Sequence, residues 1–330
     1  MEVAGTPTAK LGSRFEGACE GGNLPVVREL LALVGDRRVD VHAKEELAFR
    51  KTCRSGHLAV VHELLALTAD RTVNVHADGE AAFRLACYNG HLDVVRELLG
   101  LKGDRTVDVH AKDGATFRQT CQEGHLHVVR ELLALTGDRR VDVHAREEAA
   151  FHWACYNGHL EVVRELLALT GDRRVDTHVM NEWAFHEACG NNQVAVVREL
   201  LSLTGDRTVD VHVKEEEAFH WACWKGHLGV VRELLAMTGD RLICPLGDAL
   251  PSVGRAMLAS GLGDPHSPAV AAAWRAISSP GGMMCNAEAG PRTQEAAAAG
   301  YRVHSWGRRG GLLQLRLQNL LITAKLSATA

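Results

Sequence analysis

Apolar and polar positions along this chain form a pattern that returns every 34 residues. Phenylalanine stands at 15, 49, 83, 117, 151, 185 and 219, and cysteine keeps the same interval from 19 to 223. A representative stretch, residues 151–178, reads FHWACYNGHLEVVRELLALTGDRRVDTH. Self-similarity at such a period is typical of solenoids, in which each unit buries its apolar face against its neighbours. The pattern therefore predicts seven stacked units between Phe15 and Asp240.

Each unit predicts two helices separated by a tight break. Phe83 and Cys87 are four residues apart, so they share one face of a short first helix. Gly90 follows, and glycine suits the left-handed conformation that ends a helix. The one repeat without this glycine has Asn192, the next-best tolerated residue type. The second helix, residues 92–101, carries a wide apolar face that needs cover from both adjoining repeats.

The recurring string Ala-Cys-x-x-Gly-His-Leu-x-Val-Val-x-x-Leu-Leu, followed by Val-Asp-Val-His-Ala, resembles the ankyrin repeat. The resemblance covers seven copies in register and implies an all-α solenoid of helix pairs with short finger loops. The Thr-Pro-Leu-His helix start of that family is absent, and the finger is shorter, so its β-hairpin stays an open question. Acidic residues ahead of the Phe, such as Glu147 and Glu148, are expected to serve as caps and dipole partners instead.

Composition divides the chain near residue 242. Six of the eight prolines and eleven of the 32 glycines lie in residues 243–330, where the repeat does not continue. We expect residues 1–242 to form the solenoid and residues 243–330 to be a largely irregular, weakly structured tail. The seventh repeat has no polar capping repeat after it. A monomer is therefore expected unless that apolar flank self-associates, and whether the tail covers the flank is left open.

Charge and hydropathy argue against several classes of protein. The formal net charge is −4, and the tail holds eight Lys/Arg against four Asp/Glu, so residues 1–242 carry −8. An acidic body argues against a dedicated nucleic-acid binder. Residues 1–11 lack the apolar segment of a signal peptide, and no window reaches the ~18 apolar residues that span a bilayer. We expect an intracellular protein, cytoplasmic or nuclear.

The nine cysteines and 18 histidines do not predict a cofactor or a metal site. Equivalent cysteines of adjacent repeats should lie about 8–10 Å apart, which is too far for a disulfide or a shared zinc ion. Pairs such as His152 and Cys155 have ligand-like spacing but supply only two ligands each. The histidines at the finger bases are expected to form a solvated ladder; they are His42, His76, His110, His144, His178 and His212. No phosphate loop, nucleophile elbow or zinc-protease string is present, so we expect no enzyme.

Charged residues recur at two places in every unit. Asp-Arg follows each second helix, from Asp36-Arg37 to Asp240-Arg241, and acidic residues precede each first helix. Stacking should give one basic and one acidic edge. Either these edges are solvated and locally paired, or they steer a charged partner.

The resemblance implies where a partner binds, since ankyrin-like proteins usually use the finger tips and the exposed face of the first helix. At those positions the repeats differ while the core between them barely changes. We expect a non-catalytic adaptor or scaffold that holds a protein or peptide on the concave face. The alternatives are a targeting or regulatory fragment of a larger enzyme or channel, and a nucleic-acid binder that uses the Asp-Arg edge. The candidate partner-binding residues are Tyr88, Asn89, Gln122, Glu123, Trp153, Tyr156, Asn157, Trp183, Glu187, Trp221, Trp224 and Lys225.

Aromatic residues concentrate among these candidates. Six of the nine Trp and Tyr residues belong to first helices or their leading loops, and five of the six lie in repeats five to seven. In register, Glu187 stands between Trp153 and Trp221, and a glycine stands between Tyr156 and Trp224. We expect this notch to accept a Lys or Arg side chain of the partner by charge pairing and cation–π contact.

Overall fold

The computed structural model describes residues 7–241 and Ile243, and every regular element in this part of the chain is helical. The chain divides into two compact units, Met1–Ala218 and Phe219–Ala330. This division falls inside the seventh helix pair. The domain boundary predicted near residue 242 stays a prediction, and the predicted tail lies outside the described residues.

Seven helix pairs follow one another, each closed by a one-turn 3-10 helix. The pairs are α1 (Pro7–Glu20) and α2 (Leu24–Leu31), α3 (Ala43–Ser55) and α4 (Leu58–Leu65), α5 (Ala77–Tyr88) and α6 (Leu92–Leu99), α7 (Ala111–Gln122) and α8 (Leu126–Leu133), α9 (Ala145–Asn157) and α10 (Leu160–Leu167), α11 (Val179–Gly190) and α12 (Val194–Leu201), α13 (Val213–Lys225) and α14 (Leu228–Leu235). The 3-10 helices are Gly35–Arg37, Ala69–Arg71, Gly103–Arg105, Gly137–Arg139, Gly171–Arg173, Gly205–Arg207 and Gly239–Arg241. The prediction of an all-α helix-pair solenoid is confirmed.

A turn of left-handed backbone opens the first helix of each repeat from α3 to α11. In α9, Arg146, Glu147 and Glu148 have φ of 55°, 58° and 59°, and right-handed helix follows them. Left-handed backbone costs a non-glycine residue about 1–2 kcal/mol, so contacts made by this turn must offset the strain. The first helix thus starts earlier than the Phe that the sequence pattern suggested. The expected capping role of Glu148 is wrong, because its carboxylate bonds elsewhere, as described below.

The break between the two helices has the predicted conformation. Gly90 has φ of +76°, and Asn192, which replaces the glycine in the sixth repeat, has φ of +59°. A Cβ at Gly90 would lie 2.5 Å from the Nδ1 atom of His125. Glycine is therefore favoured at position 90 both by the left-handed backbone and by the close approach of the His125 ring.

The core of the first unit is a set of parallel rows of equivalent side chains. The repeated Phe and Cys are almost fully buried, as are two Val and one Leu of each second helix from α4 to α12; in α6 these are Val94, Val95 and Leu98. First helices pack against first helices and second helices against second helices from one repeat to the next, from α1 to α12. This packing is the physical reason for the strict repeat, since every side chain in a row meets its own copy.

The finger segments are extended without forming a sheet. Val107 and Val109 are buried while Asp108 between them is exposed, which is the alternation of a half-buried extended chain. No β-strand is assigned in the described part of the chain. The fingers of this protein are thus short extended arms without a hairpin.

The second unit contains the end of α13 and the whole of α14. Phe219 and Ala222 are buried, as are Val230 and Leu234 of α14. These are the same positions that form the core in the other repeats, so the seventh helix pair follows the same plan.

Candidate protein-binding surface

The first helices place the predicted aromatic residues on the side opposite to the core. In α9, Phe151 and Cys155 are buried, and residues two and five positions after the Phe point away from them at 100° per residue. Those positions are Trp153 and Tyr156. Their exposed fractions are 43% and 38%, so both rings lie half in solvent. The two rings meet edge to face, with centroids 5.4 Å apart.

The other predicted aromatic residues are exposed to a similar degree or more. Tyr88 is 40% exposed and Trp183, in the left-handed turn region of α11, is 39% exposed. In the second unit Trp221 is 46% and Trp224 is 74% exposed. The Nζ atom of Lys225 lies 5.1 Å from the centre of the Trp221 ring, which is a cation–π distance.

Several polar candidates hold the helix ends in place. The amide of Asn89 donates to the carbonyl of Leu85 at 2.8 Å, and the amide of Asn157 donates to that of Trp153 at 3.1 Å. The Leu85 carbonyl also accepts from the backbone N–H of Asn89 at 3.1 Å, so the side-chain amide is its second donor. These asparagines therefore have a structural task that sequence reasoning did not foresee. Gln122 and Glu123 end α7, where both are half-buried.

Glu187, the carboxylate of the predicted notch, is half-buried on α11. It accepts a hydrogen bond at 3.1 Å from the side-chain amide of Asn191, one turn further along. The carboxylate is thus oriented by its own helix. The notch that joins it to aromatic residues of the fifth and seventh repeats stays a prediction.

The finger-base histidines are about 40% exposed, as expected for a solvated ladder, but they also make specific contacts that the sequence analysis did not predict. The Nδ1 atom of His144 lies 2.6 Å from Oε1 of Glu148, and its Nε2 atom lies 2.8 Å from the carbonyl oxygen of Asp172 in the next repeat. The same Glu148 oxygen accepts from the backbone N–H of Asp176 at 3.2 Å. Each carboxylate therefore connects its own histidine to the following finger.

This arrangement recurs at His42–Glu46, His76–Glu80 and His178–Glu182, each with an Nδ1 to Oε1 distance of 2.6 Å. Both ring nitrogens face acceptors, which favours the doubly protonated imidazolium. The hydrogen bond to Glu148 and then the one to the Asp172 carbonyl raise the pKa of His144, and the equivalent bonds raise the pKa of the other three histidines. The signal was present in the sequence as His-x-x-x-Glu at the repeat interval, a spacing of one helical turn.

The histidines of the Gly-His pairs satisfy backbone carbonyls of the preceding repeat. The Nε2 atom of His125 bonds the carbonyl of Tyr88 at 2.9 Å, and that of His159 bonds the carbonyl of Gln122 at 2.7 Å. His152 differs, because it is buried in the core of α9. Burial lowers the pKa of His152 to about 4, so this ring is neutral at pH 7.

The arginines of the Asp-Arg edge are largely engaged in contacts within the protein. The guanidinium of Arg71 donates to the carbonyl of Leu31 at 2.9 Å, and that of Arg139 donates to Leu99 at 3.0 Å, in each case at the end of a second helix. The same contact recurs for Arg105, Arg173 and Arg207. The second arginine pairs with the aspartate of the following repeat in Arg38–Asp70, Arg140–Asp172 and Arg174–Asp206. The arginines fasten neighbouring repeats together.

The seven repeat cysteines are buried with free thiols. Burial raises the pKa of the Cys19 thiol to about 12, and burial alone raises that of Cys121 in the middle of the stack. Such thiols are poor nucleophiles and poor metal ligands, since the reactive species is the thiolate. Among the described residues, no three His, Cys, Asp or Glu side chains come together as a metal site would require.

Repeated helix pairs, 3-10 turns and rows of identical core residues define a helical-repeat protein. The family comparison then gives the kind of repeat: residues 15–113 match the model for three copies of the ankyrin repeat, and residues 147–178 match the model for a single ankyrin repeat. The array over residues 15–178 thus belongs to the ankyrin-repeat family, and the resemblance read from the sequence is confirmed. No curated protein matches this chain. None of the helices described is long and apolar enough to cross a membrane.

Proposed function

We propose that this protein is a non-catalytic adaptor or scaffold that binds another protein through the exposed side of its first helices. Ankyrin repeats are generally protein–protein interaction modules. The single observation that supports the proposal most strongly is the set of half-exposed or exposed Trp and Tyr side chains on that side, mainly in repeats five to seven. Binding is assigned to the array of residues 1–242, on its concave face, and not to residues 243–330.

An exposed Trp contributes binding free energy when a partner covers its ring. Large aromatic residues bury 150–250 Å² each, and Trp and Tyr are enriched at binding hot spots. The core is built from Phe, Val, Leu and Cys, so the fold gains nothing from leaving a Trp 74% exposed, as Trp224 is. Covering such rings with a partner releases water from apolar surface at roughly 25 cal/mol per Å².

Recognition of a basic side chain is supported by the chemistry of the candidate residues. Glu187 is a half-buried carboxylate on α11, and Trp153 with Tyr156 forms a ready aromatic pair on α9. A Lys or Arg of the partner is the anchor that suits both groups. Lys225 over Trp221 shows that a cation already uses one ring of this set in the free protein.

A nucleic-acid role is the weaker candidate. The arginines that suggested it donate to carbonyls or pair with aspartates, so few guanidinium groups are left to contact phosphates. Salt dependence distinguishes the two functions, because each phosphate contact makes affinity fall steeply with salt. A targeting role within a larger enzyme or channel assembly uses the same surface and predicts a partner that carries the chemistry.

The test uses the full chain as bait for affinity capture, followed by a binding isotherm with the partner so identified. Tyr156→Ala and Trp224→Ala should each weaken binding by more than about 1 kcal/mol and leave stability nearly unchanged. Val34→Ala is the matched control, since Val34 is an exposed apolar side chain, at 80%, outside the proposed surface. Wild-type affinity in both aromatic variants refutes the assigned surface. Glu187→Gln should weaken binding only to a partner whose anchor is basic.

A further inference from the structure

One finger differs from the others at the position of the buried glutamate. Four places after the finger histidine the sequence has Glu46, Glu80, Glu148, Glu182 and Glu216, but the fourth repeat has Gly114. Where the glutamate is present and buried, its Oε1 atom takes two hydrogen bonds. For Glu80, one is with His76 Nδ1 at 2.6 Å and the other is from the N–H of Asp108 in the next repeat at 3.2 Å.

Gly114 leaves the two equivalent donors without an acceptor. His110 keeps its outer contact, from Nε2 to the carbonyl oxygen of Asp138 at 2.9 Å. Its Nδ1 atom and the backbone N–H of Asp142 have no hydrogen-bond partner among residues 7–241. By the geometry of the neighbouring repeats, these two groups point at one place, the place that a carboxylate oxygen fills elsewhere in the array.

That place is an open cavity of about 550 Å³. Its wall includes the ring of Phe117 and the side chain of Val141, both buried, and its polar rim includes His110, Asp142 and Arg146. A Cβ built on Gly114 meets no atom within 4 Å, so the space begins directly at the backbone. The cavity thus combines an apolar floor with two unsatisfied donors, which is the usual composition of a ligand pocket.

The charged side chains that line the cavity are Asp113, Asp142 and Arg146. Arg146 Nη2 lies 3.2 Å from the carboxylate of Asp113, so those two groups offset each other at the rim. The Asp108 carboxylate accepts from the backbone N–H of His110, and the Asp142 carboxylate accepts from that of His144, each at 2.9 Å.

We propose that this cavity binds a carboxylate on a short alkyl chain, one of whose oxygens accepts from His110 Nδ1 and the Asp142 N–H. The alkyl chain then lies on Phe117 and Val141, and the guanidinium of Arg146 faces the second oxygen. The ligand takes the position of the side chain of Glu148 or Glu80 in their own repeats. With a carboxylate oxygen on Nδ1 and the Asp138 carbonyl on Nε2, both ring nitrogens of His110 donate.

The experiment follows the imidazole resonances of the full, isotopically labelled chain while sodium propionate is added against matched sodium chloride. At pH 6 the His110 signals should shift saturably, within a range of roughly 1–100 mM that covers weak binding of a small ligand. In Gly114→Glu the internal carboxylate fills the cavity, and the response to propionate should be lost. A glutamate is already accommodated at φ near +60° in five other fingers, so this variant should fold.

A second variant makes the test independent of Gly114→Glu. Glu148→Gly removes the internal carboxylate of the fifth repeat, and His144 should then respond to propionate as His110 does. The inference is overturned if His110 of the wild type shows no saturable shift, or if Gly114→Glu responds equally.

The source of the carboxylate is settled by capture with Gly114→Glu as bait. Loss of a captured protein identifies a glutamate side chain of that partner, while unchanged capture with lost propionate binding identifies a small free carboxylate. The propionate titration does not involve the aromatic surface of the first helices. A failure here therefore leaves the proposed protein-binding function untouched, and the reverse also holds.

Discussion

Glu148→Gln tests whether the histidine–glutamate pairs hold neighbouring repeats together. The substitution keeps the volume of the side chain and removes its charge. Glu148 is 4% exposed and takes two hydrogen bonds, one from His144 at 2.6 Å and one from the Asp176 N–H at 3.2 Å. A hydrogen bond to a charged group contributes about 1.5–3 kcal/mol. The His144 side chain is 41% exposed, so solvent screening reduces the expected loss to about 1–2 kcal/mol.

The matched control is Glu147→Gln, one residue away. Glu147 is exposed and has the same left-handed backbone, with φ of 58° against 59° for Glu148. Its change should therefore stay within about 0.5 kcal/mol. Urea unfolding followed by helical circular dichroism separates the two. With a slope near 3 kcal/mol/M, the loss at Glu148 lowers the midpoint by about 0.5 M.

The stability difference between wild type and Glu148→Gln should also decrease as the pH rises. The folded-state pKa of His144 is raised by Glu148 and by the Asp172 carbonyl. The pair's contribution is thus fully present below the unfolded value of about 6.5 and is lost as the pH rises through the folded pKa. The difference between wild type and Glu148→Gln should shrink from pH 6 to pH 9. Equal midpoints for the two variants, or a difference that does not change with pH, would refute this account.

Three further predictions follow from the packing. Leu132→Ala should cost about 2–5 kcal/mol in the middle of the array, and Leu30→Ala, near its end, should cost less and fray locally, which repeat-resolved hydrogen exchange will show. Gly90→Ala should destabilise the protein more than Gly103→Ala, because both have positive φ but only the Cβ at Gly90 meets a neighbour, the His125 ring; thermal midpoints of the two variants compare them directly. The seven repeat cysteines should react slowly with a thiol reagent in native protein and quickly in urea, and fast native reaction of all seven would contradict their burial.

Much of the fold follows from local sequence patterns that recur in every repeat. The 34-residue interval of Phe and Cys, the apolar face of the second helix and the glycine at each helix end are all properties of one unit and its nearest neighbour. Asn192 is the clearest example, because its tolerance of left-handed backbone was enough to predict the turn. Because seven copies carry the same sequence pattern, few other folds of the chain are compatible with it.

The candidate surface was predicted by the same means but less completely. The positions of Tyr156 and Trp224 relative to Phe and Cys decide which side of the helix they occupy, so their exposure followed from helical geometry. The tasks of Asn89 and Asn157 did not, because an asparagine at a helix end has both solvent and backbone carbonyls within reach. Whether the asparagine side chain contacts solvent or a carbonyl depends on the conformation of the helix end.

What the sequence alone determined, then, is the repeat, its two helices and the side of each helix that faces the core, because these depend on periods within some 34 residues. Only the tertiary structure decided what the charged residues do. Arg71 reaches the carbonyl of Leu31, 40 positions back, and Glu148 reaches the N–H of Asp176, 28 positions ahead. Contacts between repeats depend on how one unit is placed on the next. The role of Gly114 likewise depends on the neighbouring repeat. Because Gly114 has no side chain, the Nδ1 atom of His110 and the N–H of Asp142 lack the carboxylate that the equivalent groups contact in other fingers.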